Sequence, residues 1–229
     1  MTRTTFALLA LLAFATTGHA AFVIEIDADG LDDGAFTPDD NFAFGGDTTT
    51  ASTSVASPAF GLAGGDSLFG GDGVLEPDTY LYDYTPSTDG DNLVAPAGTA
   101  LNATGDVATG LPAGGAGFYA IYAAWPATTG VSGGLVTFTL TDTAANVLAT
   151  TAVEQNGGDG TWVKLFDAPL ADAADTYTLT QTAGQNTFVS MRGDGVLFDY
   201  LRPIPEPTSV ALALGMALCL PRSRRRRED

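Results

Sequence analysis

The 229-residue chain has a single cysteine and a single histidine, and neither lies in its central part. Cys219 sits in an apolar stretch near the C-terminus, and His19 closes an apolar stretch near the N-terminus. The residues between are therefore without imidazole or thiol. That excludes a Ser-His-Asp or Cys-His nucleophile there. It excludes zinc held by His or Cys, and it excludes an internal disulfide. Positive charge is also scarce: between Ala21 and Pro205 only Lys164, Arg192 and Arg202 stand against 24 acids, a net charge of −21. Such a surface repels nucleic acid and anionic lipid. No segment of this body carries a long 3.6-residue apolar period, and no internal repeat is visible.

What is abundant is glycine (28), with proline (12), threonine and alanine. That mix suits short strands joined by turns. The length suits one domain once the two ends are set apart. The acids keep an exported protein soluble, or they attract divalent cations.

The ends carry the long apolar runs. Arg3 precedes an apolar run from Phe6 to Ala15, and the small residues Gly18 and Ala20 follow. This is the layout of a secretory signal peptide over residues 1–20, cleaved after Ala20. It implies the secretion machinery and a signal peptidase as partners. At the other end, Pro205-Glu206-Pro207 precedes an apolar run from Val210 to Leu220. Arg222, Arg224, Arg225, Arg226 and Arg227 follow it. Arginines placed directly after an apolar run hold that end in the cytoplasm.

In this order, the three features of residues 204–229 resemble the PEP-CTERM sorting signal. The resemblance implies a short transmembrane helix at 210–220 and recognition near Pro205-Glu206-Pro207 by an exosortase. It also implies delivery to the cell envelope, cell surface or exopolysaccharide matrix, with transient or permanent membrane anchoring.

The body, residues 21–203, reads as all-β. Phe22–Ile26, Thr79–Tyr84, Phe118–Trp125, Leu135–Thr141, Val147–Val153, Trp162–Phe166, Tyr177–Gln181, Thr187–Met191 and Val196–Tyr200 are β-prone. In Leu135–Thr141 the alternation points Val136, Phe138 and Leu140 inward and the threonines outward. The stretches Asp27–Asp47 and Ser57–Gly73 read as an acidic loop and a Gly-rich apolar segment. Short strands at about ten-residue spacing predict a β-sandwich. Phe118–Pro126, Glu154–Val163 (with its Gln155-Asn-Gly-Gly turn before Thr161-Trp162) and Asp194–Tyr200 resemble the golvesin-type, carbohydrate-binding-like domain. That resemblance covers about residues 117–202 and implies a jelly-roll sandwich with a tie to extracellular polysaccharide.

Two sets of side chains are candidate sites. Asp27, Asp29, Asp32 and Asp33 crowd one turn around Gly30, offering the oxygen donors that calcium takes. A solvated acidic turn is the simpler account of them, and of Asp47, Asp66, Asp72, Asp89 and Asp91 on other Gly-rich turns. Tyr80, Tyr82 and Tyr84 share one strand face, a geometry suited to stacking on sugar rings. Trp125 and Trp162 suit core packing better. Paired carboxylates remain open for glycoside chemistry, but among 24 acids some pair always fits. The expectation is a non-enzymatic structural or adhesive surface protein. The alternative is a carbohydrate-binding module.

Overall fold

The computed structural model describes residues 21–27, 29–62, 64–71, 75–89, 115–131, 135–157, 160–184 and 191–204. The expected signal peptide, the Pro205-Glu206-Pro207 motif, the apolar run at 210–220 and the arginine cluster lie outside the described residues, as do Asp72 and Asp91. Among the described residues there is no helix, so none long and apolar enough to cross a membrane.

Three antiparallel sheets carry the chain. The first contains β1 (Ala21–Glu25), β12 (Gly195–Pro203), β6 (Gly117–Ala124) and β9 (Val163–Leu170), in that order across the sheet. The second runs β2 (Phe42–Gly45), β5 (Thr79–Tyr84), β10 (Tyr177–Thr182), β7 (Val136–Thr141) and β8 (Val147–Val153). A small third sheet orders β11 (Arg192–Gly193), β4 (Asp66–Phe69) and β3 (Ser52–Val55).

The two large sheets pack as a sandwich because each presents one apolar face. β5 and β10 alternate between buried and half-buried positions, as period-2 side chains must. Val136, Phe138 and Leu140 are buried, as their alternation predicts. Across the gap, Tyr84 of the second sheet stacks on Phe198 at 4.6 Å and on Phe22 at 5.1 Å, both in the first sheet. Tyr119 meets Tyr84 edge-on at 5.5 Å. The β7–β8 hairpin closes over Thr141–Asn146 with Ala145 at φ 61° and Asn146 N–H donating to the Asp142 carboxylate at 2.8 Å.

In the first sheet β1, β6 and the first part of β12 are largely buried on both faces, which explains why they read as nearly unbroken apolar runs. Phe22, Ile24, Val196 and Phe198 enter the main core, while Val23, Leu197 and Ala124 pack outward. There they meet Ala59, Leu62 and Trp162, a second, smaller core. Thus Ala59–Leu62 and Trp162 form a lid on the outer side of the sandwich.

The motif around Gln155 is structural. Its carbonyl accepts from Trp125 Nε1 at 3.1 Å, and its buried side chain exchanges two bonds with the Arg192 backbone at 2.8 Å each. Asn156 does the same for Val131 at 3.0 Å. Two polar side chains thereby satisfy backbone groups of the short edge strand β11 and of the loop at Val131.

Two expectations are corrected. The acidic stretch 27–47 is not all loop: β2 lies at its end and pairs with β5, Phe42 facing Tyr82. The Gly-rich stretch 57–73 contains β4, which pairs with β3 and β11.

Candidate functional site

Tyr80, Tyr82 and Tyr84 do share a face, but it is the inner one. Their exposures are 0%, 0% and 1%. Tyr80 O–H donates to the Gly70 carbonyl at 2.5 Å, Tyr82 O–H to Gln181 Oε1 at 2.9 Å, and Tyr84 O–H to Tyr119 Oη at 3.2 Å. Burial pushes the phenols of Tyr80 and Tyr82 well above their ordinary range. These rings are core, so the expected sugar-stacking face is not there. The alternation was legible, but it cannot say which face is covered. Trp125 and Trp162 are also buried.

The outer face of the second sheet is instead a field of threonines. Thr137, Thr139 and Thr141 of β7 lie opposite Thr182, Thr180 and Thr178 of β10. Thr79 continues one row into β5, and Thr150 of β8 extends another. The Thr139 and Thr150 hydroxyls stand 3.1 Å apart.

The acidic run beginning at Asp27 splits. Asp29, Asp32 and Asp33 are exposed. Asp29 and Asp33 take the N–H groups of Leu31 and Ala35 at 2.9 Å each, the self-capping that bends an Asp-rich turn. Asp27 is wholly buried and turns elsewhere. Besides Asp29, whose N–H it accepts at 3.1 Å, its acidic neighbours include residues from distant sequence. Asp194, 1% exposed, sits between β11 and β12. Its carbonyl accepts from Ile26 N–H at 2.8 Å, and its carboxylate accepts from the Ser57 N–H. Asp66, also 1% exposed, opens β4 and accepts from Gly34 N–H at 2.7 Å. Glu25 ends β1 opposite Gly195. Gly65 makes this approach feasible: a methyl group there would lie 2.8 Å from the Asp27 carbonyl and 3.2 Å from Glu25 Oε1. An open cavity of about 230 Å³ lies alongside, lined by Asp32, Ser57, Pro58, Gly64 and Gly65 among others.

The electrostatics of this corner are one-signed. Burial, then Asp27, Asp39 and Asp29, push the Glu25 carboxyl up to about 7. Burial also raises Asp27 to about 6, with Asp29 and Asp66 adding to it and the Asp29 N–H opposing. Asp194 is held well above the carboxylate range by burial, against the Ser57 N–H and with help from Glu25, Asp27 and Asp66. Among the described residues, no cation is paired with them. Lys164 pairs with Asp167 at 2.8 Å, Arg192 lies over Phe69 at 4.6 Å, and Arg202 lies over Phe118 at 4.1 Å. Among the described residues, no three acids are already gathered tightly enough to hold a metal ion.

A pH dependence follows for the metal-free protein. A carboxyl whose folded pKa is raised binds more protons folded than unfolded, so stability falls as pH climbs between the two values. Glu25 and Asp27 place that window between about 4 and about 7. In chelator, the unfolding midpoint is therefore expected to drop steadily from pH 4.5 to pH 7. A flat profile over this range would contradict the enclosed placement of buried Asp27 and half-buried Glu25. Of this corner, sequence reasoning singled out Asp27 and left Asp66 as a solvated turn acid. It missed Glu25 and Asp194. The available signal was an aspartate flanked by glycine in an otherwise strand-like setting, Gly65-Asp66 and Gly193-Asp194-Gly195.

No known family profile matches the chain, and no curated protein matches it. Two solved structures are similar over most of its length. One is an exo-beta-1,3-galactanase from Phanerochaete chrysosporium, with TM-score 0.39 and 10% identity, covering 78% of this chain and 29% of that one. The other is an arabinose-bound MgGH51 a-L-arabinofuranosidase, with TM-score 0.39 and 12% identity, covering 80% of this chain and 26% of that one. The chain thus spans less than a third of either protein's length.

Proposed function

We propose that this is an exported, non-enzymatic surface or exopolysaccharide-matrix protein, structural or adhesive, delivered by its C-terminal sorting tail. The observation that carries the adhesive part is the threonine face of the second sheet. On a body of net charge −21 it is a broad patch of hydroxyl and methyl groups. Asp83, paired with Thr178 across β5 and β10, accepts from the Thr178 hydroxyl at 2.6 Å. A neutral, hydroxyl-rich polymer meets such a face without a charge penalty, whereas acidic partners are repelled by the rest of the body.

The strand order supports a jelly roll as the finer description. With β2 and the small third sheet set aside, first and last strands pair and successive strands switch sheets except at the β7–β8 hairpin, the double Greek-key pattern. The same face serves the second reading, a carbohydrate-binding module holding the chain to extracellular polysaccharide. It would bind through threonines rather than through an aromatic row.

Fractionation tests the export reading. The full chain is expected at the cell surface or in the matrix, and a chain ending at residue 204 in the medium. Cytoplasmic retention of a chain with intact residues 1–20 would overturn export. Turnover of any polysaccharide by the purified chain would overturn the non-enzymatic reading.

A further inference from the structure

We propose that Glu25, Asp27, Asp66 and Asp194 form a divalent-cation site, filled by Ca2+, that ties the third sheet to the end of β1. The argument rests on an imbalance. Asp27, Asp66 and Asp194 are buried, and Glu25 is half-buried beside them. Buried charge persists in folded proteins when it is paired or coordinates a metal. The three cations of the body are each engaged elsewhere.

A second observation singles out one atom. Asp27 Oδ1 accepts from the Asp29 N–H at 3.1 Å, but Asp27 Oδ2 is buried with no hydrogen-bond partner. A buried, orphaned carboxylate oxygen in an acidic surrounding needs a cation or a proton. The Asp27 carbonyl and Glu25 Oε1 both border the Gly65 position, adding oxygen donors on the same side.

The donor chemistry selects the ion. All donors are hard oxygens, drawn from β1 and the residues just after it, β4 and the β11–β12 turn, with no nitrogen or sulfur among them. Calcium accepts six to eight such ligands, at about 2.3–2.6 Å, in irregular geometry; magnesium demands a near-ideal octahedron and keeps its waters. The carboxylates are not yet gathered at one point. Binding requires the four carboxylates to draw together, and half-buried Glu25, the least enclosed of them, is the freest to move. Of the acidic run, only Asp27 then serves as an inner ligand.

Thermal unfolding of the full chain tests this in chelator, in about 1 mM Ca2+ and in about 1 mM Mg2+, concentrations suited to extracellular sites. Calcium is expected to raise the midpoint by about 5–10 °C, and magnesium by much less. Asp27→Asn removes the charge but keeps the shape. It is expected to abolish the calcium shift while melting at or above the unsubstituted protein in chelator, because one uncompensated charge is gone. That second readout separates a lost site from a failed fold. Asp167→Asn, whose side chain only pairs with exposed Lys164, is expected to keep the full shift. No calcium shift at all would overturn the site and leave shared protons holding the corner. An equal shift in Asp27→Asn would place the ion elsewhere and overturn it too. Both readouts are stabilities, so neither depends on where the chain is delivered or what its threonine face holds.

Discussion

Replacing Tyr84 by alanine is expected to destabilise the domain by about 3–5 kcal/mol. The ring is the one that joins the two sheets, stacked between Phe198 at 4.6 Å and Phe22 at 5.1 Å, with Tyr119 at its edge. Removing it deletes the transfer energy of a large side chain and leaves a cavity that three neighbouring rings from another sheet cannot readily fill. Net stabilities of domains this size are about 5–15 kcal/mol, so a large part of the margin goes. Tyr84→Phe keeps the ring and loses only the hydroxyl, which donates to Tyr119 at 3.2 Å. Its cost is expected to be about 0.5–1.5 kcal/mol. Urea melts followed by circular dichroism give both values. If Tyr84→Ala kept its stability and lost retention on polysaccharide, the ring would be a binding surface after all. Its 1% exposure predicts the reverse.

How far the sequence reached is clearest on this same strand. The alternation of Thr79–Tyr84 located β5 at its observed bounds and put the three tyrosines on one face. Alternation alone carries no sign, however. A row of tyrosines looks the same whether it covers a core or waits for a ligand. β7 was easier because aliphatic residues alternate with threonine there, and the hydrophobic effect chooses the face. β2, β3 and β4 were missed because each is four residues long. So short a segment shows two side chains per face, too few to establish a period. β4 even begins with Asp66 and Ser67, both buried, where strand propensity argues for a turn. The acidic corner was out of reach for a different reason. Glu25, Asp66 and Asp194 are brought together only by the pairing of β1 with β12 and of β4 with β11. Composition showed that acid was in excess; only topology shows where it is concentrated.

The same topology makes Trp162 a test of how the outer lid and the acidic corner are coupled. Trp162 covers Val23, Ala124 and Leu197 on the outer face of the first sheet, together with Ala59 and Leu62. Its Nε1 donates to the Phe60 carbonyl at 2.9 Å. Trp162→Ala is expected to cost about 3 kcal/mol, the lower end for a tryptophan, because the side chain is 7% exposed and lies in the smaller core. The damage should be local. The Leu62 amide, bonded to the Ala59 carbonyl at 3.0 Å, is expected to lose hydrogen-exchange protection. Amides of β10, held between β5 and β7, should keep theirs. Two residues before Ala59, Ser57 donates its N–H to Asp194. Once the lid lifts, that bond loses its anchor and Asp194 is less well held beside Asp27. Trp162→Ala is therefore also expected to shrink the calcium-induced rise in midpoint, although the tryptophan is not itself a proposed ligand. Trp162→Phe, which keeps most of the packing, is expected to keep most of that rise. Uniform loss of protection across both large sheets would instead make the lid part of one cooperative unit, and the coupling to the acidic corner would need no local route.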